Sequence, residues 1–174
     1  MTASPTCYER QMEFTKQQIK TSVVACIIDN QQRVLLTRRC VEPFCSQWVM
    51  PGGKIDHGEA ILAALHREVR EEVGLEVHAE GLIDVYEHLG IGSRNDHYVI
   101  LYYRCSPKSF NLQPNGEECT EALWAPSQQL PEMQLPPGCR YILARVFPDL
   151  CWGQTPLPED AAGEIPDQLQ MEHS

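Results

Sequence analysis

The sequence lacks any long apolar run, and this excludes a helical membrane span. None of its segments approaches the roughly 18 consecutive apolar residues that a spanning helix needs. Residues 1–20 contain no apolar core of the kind that a secretory signal carries. We therefore expect a soluble, cytoplasmic protein with no membrane partner.

Basic charge is also scarce. The chain has 14 Lys and Arg residues against 24 Asp and Glu residues, which gives a formal net charge of −10. So acidic a protein has no general attraction for a phosphate backbone, and a broad nucleic-acid-binding role is excluded. The same balance sets a condition for any phosphorylated substrate, because some group other than the net charge must attract it.

Pairs of the type C-x-x-C are absent, although the chain has eight cysteines. Cys40 and Cys45 do not have the spacing of an ordinary zinc knuckle. Cys26 and Cys105 lie inside apolar runs, where a cysteine behaves as a small hydrophobic residue. A chain of this length does not need disulfide staples, so we expect reduced thiols in a cytosolic protein.

Composition divides the chain into three parts. We predict a polar N-terminal segment over 1–19, a folded domain over 20–150, and a mobile, acidic and proline-rich tail over 151–174. Apolar and turn residues in the folded part predict helices over 59–73 and 138–147, and strands over 20–29, 33–39, 75–90, 97–105 and 122–126. This order of elements is typical of an α/β or α+β fold in which helices cover a mixed sheet.

The helix predicted over 59–73 carries carboxylates beside its apolar stripe. The stripe recurs with the helical period, at Leu62, Leu65, Val69 and Val73. Glu68, Glu71 and Glu72 fall on the neighbouring arc, where loss of hydration and mutual repulsion raise their pKa values unless a cation lies between them. Oxygen ligands of this kind suit Mg²⁺, with Mn²⁺ as a substitute. The alternative interpretation is an ordinary charged helix face.

Two further features adjoin this helix. Gly52 and Gly53 allow the backbone to approach a ligand closely, and a carbonyl from this turn, that of Gly52, can supply another oxygen to a cation. Arg67 points to a different side from Glu68 and can hold a carboxylate or a phosphate with two parallel hydrogen bonds.

The segment from Gly53 to Leu75 reads GKIDHGEAILAALHREVREEVGL and resembles the Nudix box, G-x5-E-x7-R-E-U-x-E-E-x-G-U, at every fixed position. A W-x-x-P-G-G motif at 48–53 and an E-x-x-E-x-x-W motif at 118–124 are also familiar from that family. The resemblance extends over roughly residues 20–147.

The resemblance implies a Nudix hydrolase, with an α/β/α sandwich around a mixed β-sheet, that cleaves a nucleoside diphosphate linked to a further group X. It implies Glu68 and Glu72 as the main metal ligands, and Glu71 as a ligand or a water-positioning residue. Arg67 is expected to orient a carboxylate, with a plain surface ion pair as the alternative. Glu118 is the candidate general base, with surface charge as the alternative. The metal would bring the positive charge that this acidic chain lacks.

The substrate is less well defined than the chemistry. The segment 42–48 resembles the lead-in of some ADP-ribose pyrophosphatases, although a proline common in that group is replaced by Gly90 and Ile91. We therefore expect ADP-ribose or a nucleotide sugar, with a pool-cleaning nucleoside triphosphate pyrophosphohydrolase as the alternative. A non-catalytic nucleotide sensor on the same fold is a third reading, disfavoured because every box carboxylate is present. Arg38 or Arg39 is expected to contact the substrate's phosphate or ribose, and the resemblance leaves a homodimer open.

Overall fold

The computed structural model describes residues 18–91 and 96–153. Most of the predicted N-terminal segment and of the predicted tail lies outside the described residues. The predicted domain boundaries therefore stay predictions.

Seven strands and two α-helices lie within the described residues, and all the elements predicted from the sequence are present. In chain order they are β1 (Lys20–Ile27), β2 (Arg33–Arg39), β3 (Trp48–Val49), β4 (Gly52–Lys54), α1 (Ile61–Val73), β5 (Val77–Ile91), β6 (Asp96–Pro107), β7 (Cys119–Pro126) and α2 (Pro137–Val146). A short 3-10 helix, Ser127–Glu132, precedes α2.

Helix α1 begins at Ile61 rather than at residue 59. Ala60 has extended backbone angles, and the Glu59 carboxylate accepts the amide of Asp56, so both residues belong to the preceding turn. Leu62 is 44% exposed, so the buried stripe starts one turn later than the apolar period predicts. The helix ends as expected at Gly74, whose φ of 71° suits glycine and whose N–H bonds to the carbonyl of Arg70.

The strands form two sheets. The mixed sheet has the order β4-β1-β6-β5, in which β1 runs parallel to β6 and the other neighbours are antiparallel. The second sheet, β3-β2-β7, is wholly antiparallel. Strands β1 and β2 are joined by a short turn but lie in different sheets, and they meet at one bridge between Ile28 and Val34. The helices around a mixed sheet confirm the predicted fold class, whereas the second sheet was not foreseen.

The two faces of β1 belong to different parts of the core. One face packs against α1, through side chains that are completely buried: Val23, Ala25, Ile27, Leu65 and Val69. The opposite face joins a cluster that includes α2: Cys26, Tyr102, Ile142 and Leu143. Because side chains alternate along a strand, one register fixes both packing surfaces.

No helix among the described residues is long and apolar enough to cross a membrane. Seven cysteines lie in the described ranges, and all seven are free thiols.

Asp29 shapes the turn between β1 and β2. The side chain is buried, and its carboxylate accepts the amides of Gln31 and Arg33 at 2.9 and 2.8 Å and the Arg33 guanidinium at 2.7 Å. Burial alone would raise the pKa of Asp29, but the hydrogen bonds from Arg33 and Gln31 outweigh burial and lower it.

We predict that Asp29→Ala lowers the free energy of unfolding by about 1–3 kcal/mol, because two backbone amides and the Arg33 guanidinium lose their acceptor. The folded pKa is lower than the unfolded pKa, so the contribution is complete above about pH 4 and declines as the pH falls further. Denaturant titrations at neutral and acidic pH measure both effects. Asp149→Ala, at an exposed position, is the control; an equal loss in both variants would contradict the prediction.

Candidate active site

Three carboxylates converge beside the mixed sheet. Glu68 and Glu72 come from α1, and Glu118 comes from the segment before β7; one carboxylate oxygen of each lies within 4.8 Å of the others. Glu68 and Glu72 are only 8% and 5% exposed, whereas Glu118 is exposed. The structure thus brings two predicted metal ligands together with the predicted general base.

Glu71 lies outside this cluster. Its side chain is 58% exposed and accepts a hydrogen bond from Arg67 at 3.2 Å. Glu68 and Glu72 are four positions apart and therefore share one face of α1, whereas Glu71 is turned away from that face. The structure does not bring Glu71 to the carboxylates of Glu68 and Glu72, and the role of Glu71 stays a prediction.

The buried carboxylates are unfavourable as bare anions. Burial raises the pKa of Glu72 to about 8, although the amide of Gly52 donates to this carboxylate at 3.2 Å and opposes the shift. Burial also raises the pKa of Glu68, against the lowering effect of Arg67. Carboxylates in such a setting gain from a nearby cation, and an all-oxygen set suits a hard divalent ion.

Gly53 makes room for this arrangement. A Cβ atom at position 53 would lie 2.5–2.6 Å from the carboxylate atoms of Glu68, closer than any real contact allows. A side chain at position 53 would therefore force the Glu68 carboxylate to move from its observed position beside β4. The donor chemistry and this cradle both fit a divalent ion.

Arg67 joins the acidic groups around α1. Its Nε and Nη2 atoms donate to the two Glu59 oxygens at 2.9 Å each, and its Nη1 atom donates to Glu68 at 2.8 Å. A further bond runs from Nη2 to the carbonyl of Lys54 at 3.1 Å. The hydrogen bonds from Arg67 lower the pKa of Glu59 to about 2, so Glu59 serves Arg67 and the turn before the helix.

The cluster opens into a cavity of about 510 Å³. Near the carboxylates the cavity is lined by Gly52, Gly53, Arg67, Glu68 and Glu118. Other lining residues are aromatic: Phe44, His88, Tyr98 and Tyr102. The volume is within the range of small-molecule sites, which is roughly 300–1,000 Å³.

Phe44 and His88 form a pair in the aromatic part of the cavity. Their ring centroids lie 5.6 Å apart in an edge-to-face arrangement, and Tyr86 flanks His88 at 5.7 Å. Burial lowers the pKa of His88, so its imidazole is neutral near pH 7. Phe44 has a φ of 70°, a left-handed conformation that costs a bulky residue energy and is most often found at functional sites.

The two arginines at the end of β2 have different surroundings. Arg39 lines the cavity, and its Nε atom donates to the carbonyl of Pro43 at 2.7 Å. Arg38 lies 5.7 Å from the Trp48 ring and 3.5 Å from a Glu121 oxygen, and it is not among the lining residues. Of the two candidates, Arg39 is the one that the structure brings to the site.

The sequence reasoning missed the aromatic residues of the cavity. His88 and Tyr98 are register partners on β5 and β6, and Tyr102 follows on the same face. The even spacing of Tyr98 and Tyr102 already predicts that both point to one face of β6. That His88 lies on the same face follows only from the pairing of β5 with β6.

The fold and the site define an α/β/α sandwich protein with a carboxylate-lined cavity of small-molecule size. The family model described as the NUDIX domain matches residues 19–146, and the chain belongs to the Nudix family.

Several known proteins are similar to this chain. The 8-oxo-dGDP phosphatase NUDT18 of Homo sapiens is 32% identical over 112 residues, which is 63% of this chain and 33% of the relative. The ADP-ribose pyrophosphatase of Methanocaldococcus jannaschii is 37% identical over 60 residues, which is 34% of this chain and 36% of the relative. The chain therefore spans only about a third of the length of either protein.

Among solved structures, the MutT NUDIX hydrolase of Burkholderia pseudomallei superimposes with a TM-score of 0.66 at 28% identity. The match covers 74% of this chain and 98% of that protein.

We predict that Gly53→Ala weakens Mn²⁺ binding about tenfold or more, because the new methyl group displaces the Glu68 carboxylate. Gly81→Ala is the matched control, since a Cβ there meets nothing within 4 Å. Titration followed by electron paramagnetic resonance of free Mn²⁺ gives the affinity. Equal Mn²⁺ affinities for the two variants would contradict this account of Gly53.

Proposed function

We propose that this protein is a metal-dependent hydrolase that cleaves the pyrophosphate link of nucleoside diphosphate-X compounds. One observation carries the proposal: Glu68, Glu72 and Glu118 converge, and Glu68 and Glu118 line a cavity that also has an aromatic lining. A nucleoside diphosphate derivative has the matching halves, with anionic phosphates joined to a flat base. Membership of the Nudix family supports the same reaction.

The ion we propose is Mg²⁺, with Mn²⁺ as a substitute, held by Glu68, Glu72 and Glu118. When bound, it neutralises the diphosphate oxygens and lowers the pKa of a coordinated water. The Gly52 carbonyl remains a candidate ligand, because the amide of the same residue donates to the Glu72 carboxylate.

The chain's own residues position this site. Arg67 fixes the Glu68 carboxylate through a short hydrogen bond and is itself held by Glu59. The Gly52 amide fixes the Glu72 carboxylate. Glu118, the exposed member, is proposed as the third carboxylate around the ion; a general-base role, which would affect turnover and leave ion binding intact, is the alternative. Glu71 lies outside the cluster but shares the Nη1 atom of Arg67 with Glu68, and it is proposed as a water-positioning residue.

The aromatic side of the cavity is proposed to hold the nucleoside, with the base against Phe44 and the neutral His88. Arg39 lies where it can contact a phosphate or the ribose. As the substrate we retain ADP-ribose or a nucleotide sugar, a choice that the similarity to an ADP-ribose pyrophosphatase supports.

A second candidate substrate is an oxidised guanine nucleotide. The relative that matches 63% of this chain is named an 8-oxo-dGDP phosphatase, and this favours the pool-cleaning alternative. The sensor reading is disfavoured, because the carboxylates that a hydrolase needs still converge. A cytoplasmic location and a homodimer stay predictions.

A turnover screen with Mg²⁺ tests the proposal across ADP-ribose, nucleotide sugars, dinucleotides, 8-oxo-dGDP and nucleoside triphosphates. We expect hydrolysis of at least one nucleoside diphosphate compound, and loss of at least about a hundredfold in kcat for Glu72→Gln, since the charge around the ion is no longer balanced. Thermal unfolding should show that Glu72→Gln remains folded. Unchanged turnover by this variant at saturating Mg²⁺, or no turnover of any compound by the wild type, would refute the proposal.

We predict that Phe44→Ala raises KM for the best substrate about tenfold with little change in kcat, because a base loses its stacking partner. Phe110→Ala is the control: Phe110 is exposed and packs on Trp124, and it is not a lining residue of the cavity. Steady-state kinetics separates the two constants. A fall in kcat alone would place Phe44 outside the nucleoside site.

A further inference from the structure

The segment 108–118, between β6 and β7, has no regular secondary structure but is bonded to the end of α1. The amides of Lys108, Gln113 and Asn115 donate to the carbonyls of Glu76, Val73 and Glu72, respectively. The bonds to Val73 and Glu72 satisfy carbonyls that a helix end leaves without partners, and the bond to Glu76 follows just beyond the helix. They also attach the segment that carries Glu118 to the backbone of Glu72, whose side chain lies in the carboxylate cluster.

One side-chain atom organises the turn before β7. The Oδ1 atom of Asn115 accepts the amides of Glu117 at 3.0 Å, Glu118 at 3.1 Å and Cys119 at 3.4 Å. Gly116 has a left-handed φ of 75°, and its amide donates to the carbonyl of Cys119 at 3.0 Å. Asparagine is suited to this role because its short side chain bonds to backbone amides two or three residues further on.

The same turn is anchored on its other side. The Glu118 carbonyl accepts the amide of Cys40 at 3.0 Å, and the Cys119 thiol donates to the Glu72 carbonyl at 3.2 Å. The backbone at Glu118 is therefore fixed between β2 and α1, and the Asn115 side chain sets its direction.

We propose that Asn115 is a positioning residue of the metal site, which directs the Glu118 carboxylate toward Glu68 and Glu72. The inference rests on the proposed function, in which Glu118 holds the ion. Glu68 and Glu72 are kept in place by burial and by Arg67 and Gly52. Glu118 is exposed, so the direction of its own backbone determines whether its carboxylate reaches the ion.

This arrangement lowers the conformational entropy that the site loses when it binds an ion. A flexible exposed glutamate loses rotamer freedom when it binds an ion, and a loose backbone would add to that loss. Three hydrogen bonds from backbone amides to the Asn115 Oδ1 atom already order this backbone, so binding the ion need not order it. Partners that orient metal ligands typically change metal affinity about 10–100-fold when they are removed.

The test measures Mn²⁺ affinity by electron paramagnetic resonance for four variants: Asn115→Ala, Asn115→Asp, Glu118→Gln and the double variant Asn115→Ala/Glu118→Gln. We expect Asn115→Ala to weaken binding about tenfold. Asn115→Asp retains the acceptor oxygen and should bind within about threefold of the wild type. If Asn115 acts through Glu118, Asn115→Ala should have no further effect once Glu118 is changed.

The matched control is Asn111→Ala, at an exposed position in the same segment, which should bind Mn²⁺ as the wild type does. Thermal unfolding of every variant separates ion affinity from loss of the fold. If Asn115→Ala does not fold, Asn115→Ser, which has a shorter side chain and a hydroxyl acceptor, takes its place with the same expectation in the cycle.

Two results of the double-variant cycle overturn the inference alone: Glu118→Gln weakens binding and Asn115→Ala does not, or their effects simply add in the double variant. Failure of Asn115→Asp to restore binding also overturns it. If Glu118→Gln binds Mn²⁺ normally, the ligand role of Glu118 falls together with this inference. The proposed function itself fails on turnover, if Glu72→Gln is unimpaired at saturating Mg²⁺ or if the wild type hydrolyses none of the compounds, so the two failures are distinguishable.

Discussion

The burial of two carboxylates against the mixed sheet is the constraint on which the rest of the site depends. Glu68 and Glu72 have little exposure to water, and neutral protein surroundings alone do not stabilise their charge. Three nearby features accommodate these carboxylates. The Arg67 guanidinium and the Gly52 amide donate hydrogen bonds to them, and Gly53 has no side chain that would displace Glu68. Each would be unremarkable alone. Together they leave a space between carboxylate oxygens that suits a divalent ion.

The alternation of side chains along β1, β5 and β6 produces the other half of the site. Val24, Tyr102 and His88 fall on one face because parallel pairing of β1 with β6 and antiparallel pairing of β5 with β6 bring their positions into register. That face continues into the core against α2. The cavity is therefore an opening at the margin of the core, and the strand register that packs the protein also orients the residues around the proposed ligand.

Local pattern predicted most of the elements and part of the site. The helical period located α1 and the pair Glu68 and Glu72, and the order of strands and helices predicted the layered fold. It was harder to predict which carboxylates form the cluster. Their convergence depends on the docking of residues 108–118 against α1, a contact between segments far apart in sequence. Glu71 was grouped with Glu68 and Glu72 because all three fall on one arc of the helix, although only the i, i+4 pair is buried. The second sheet and the aromatic lining likewise follow from long-range pairing.

The attachment of residues 108–118 to α1 has a thermodynamic consequence. An ion held jointly by Glu68, Glu72 and Glu118 would bind only when the segment is docked, because one of its ligands comes from the segment and two come from the helix. Any ligand of the native state alone adds to its stability by mass action, about 2.7 kcal/mol at a free concentration one hundred times the dissociation constant. The free Mg²⁺ concentration would then set part of the free energy of unfolding, and with it the resistance of residues 108–118 to proteolysis.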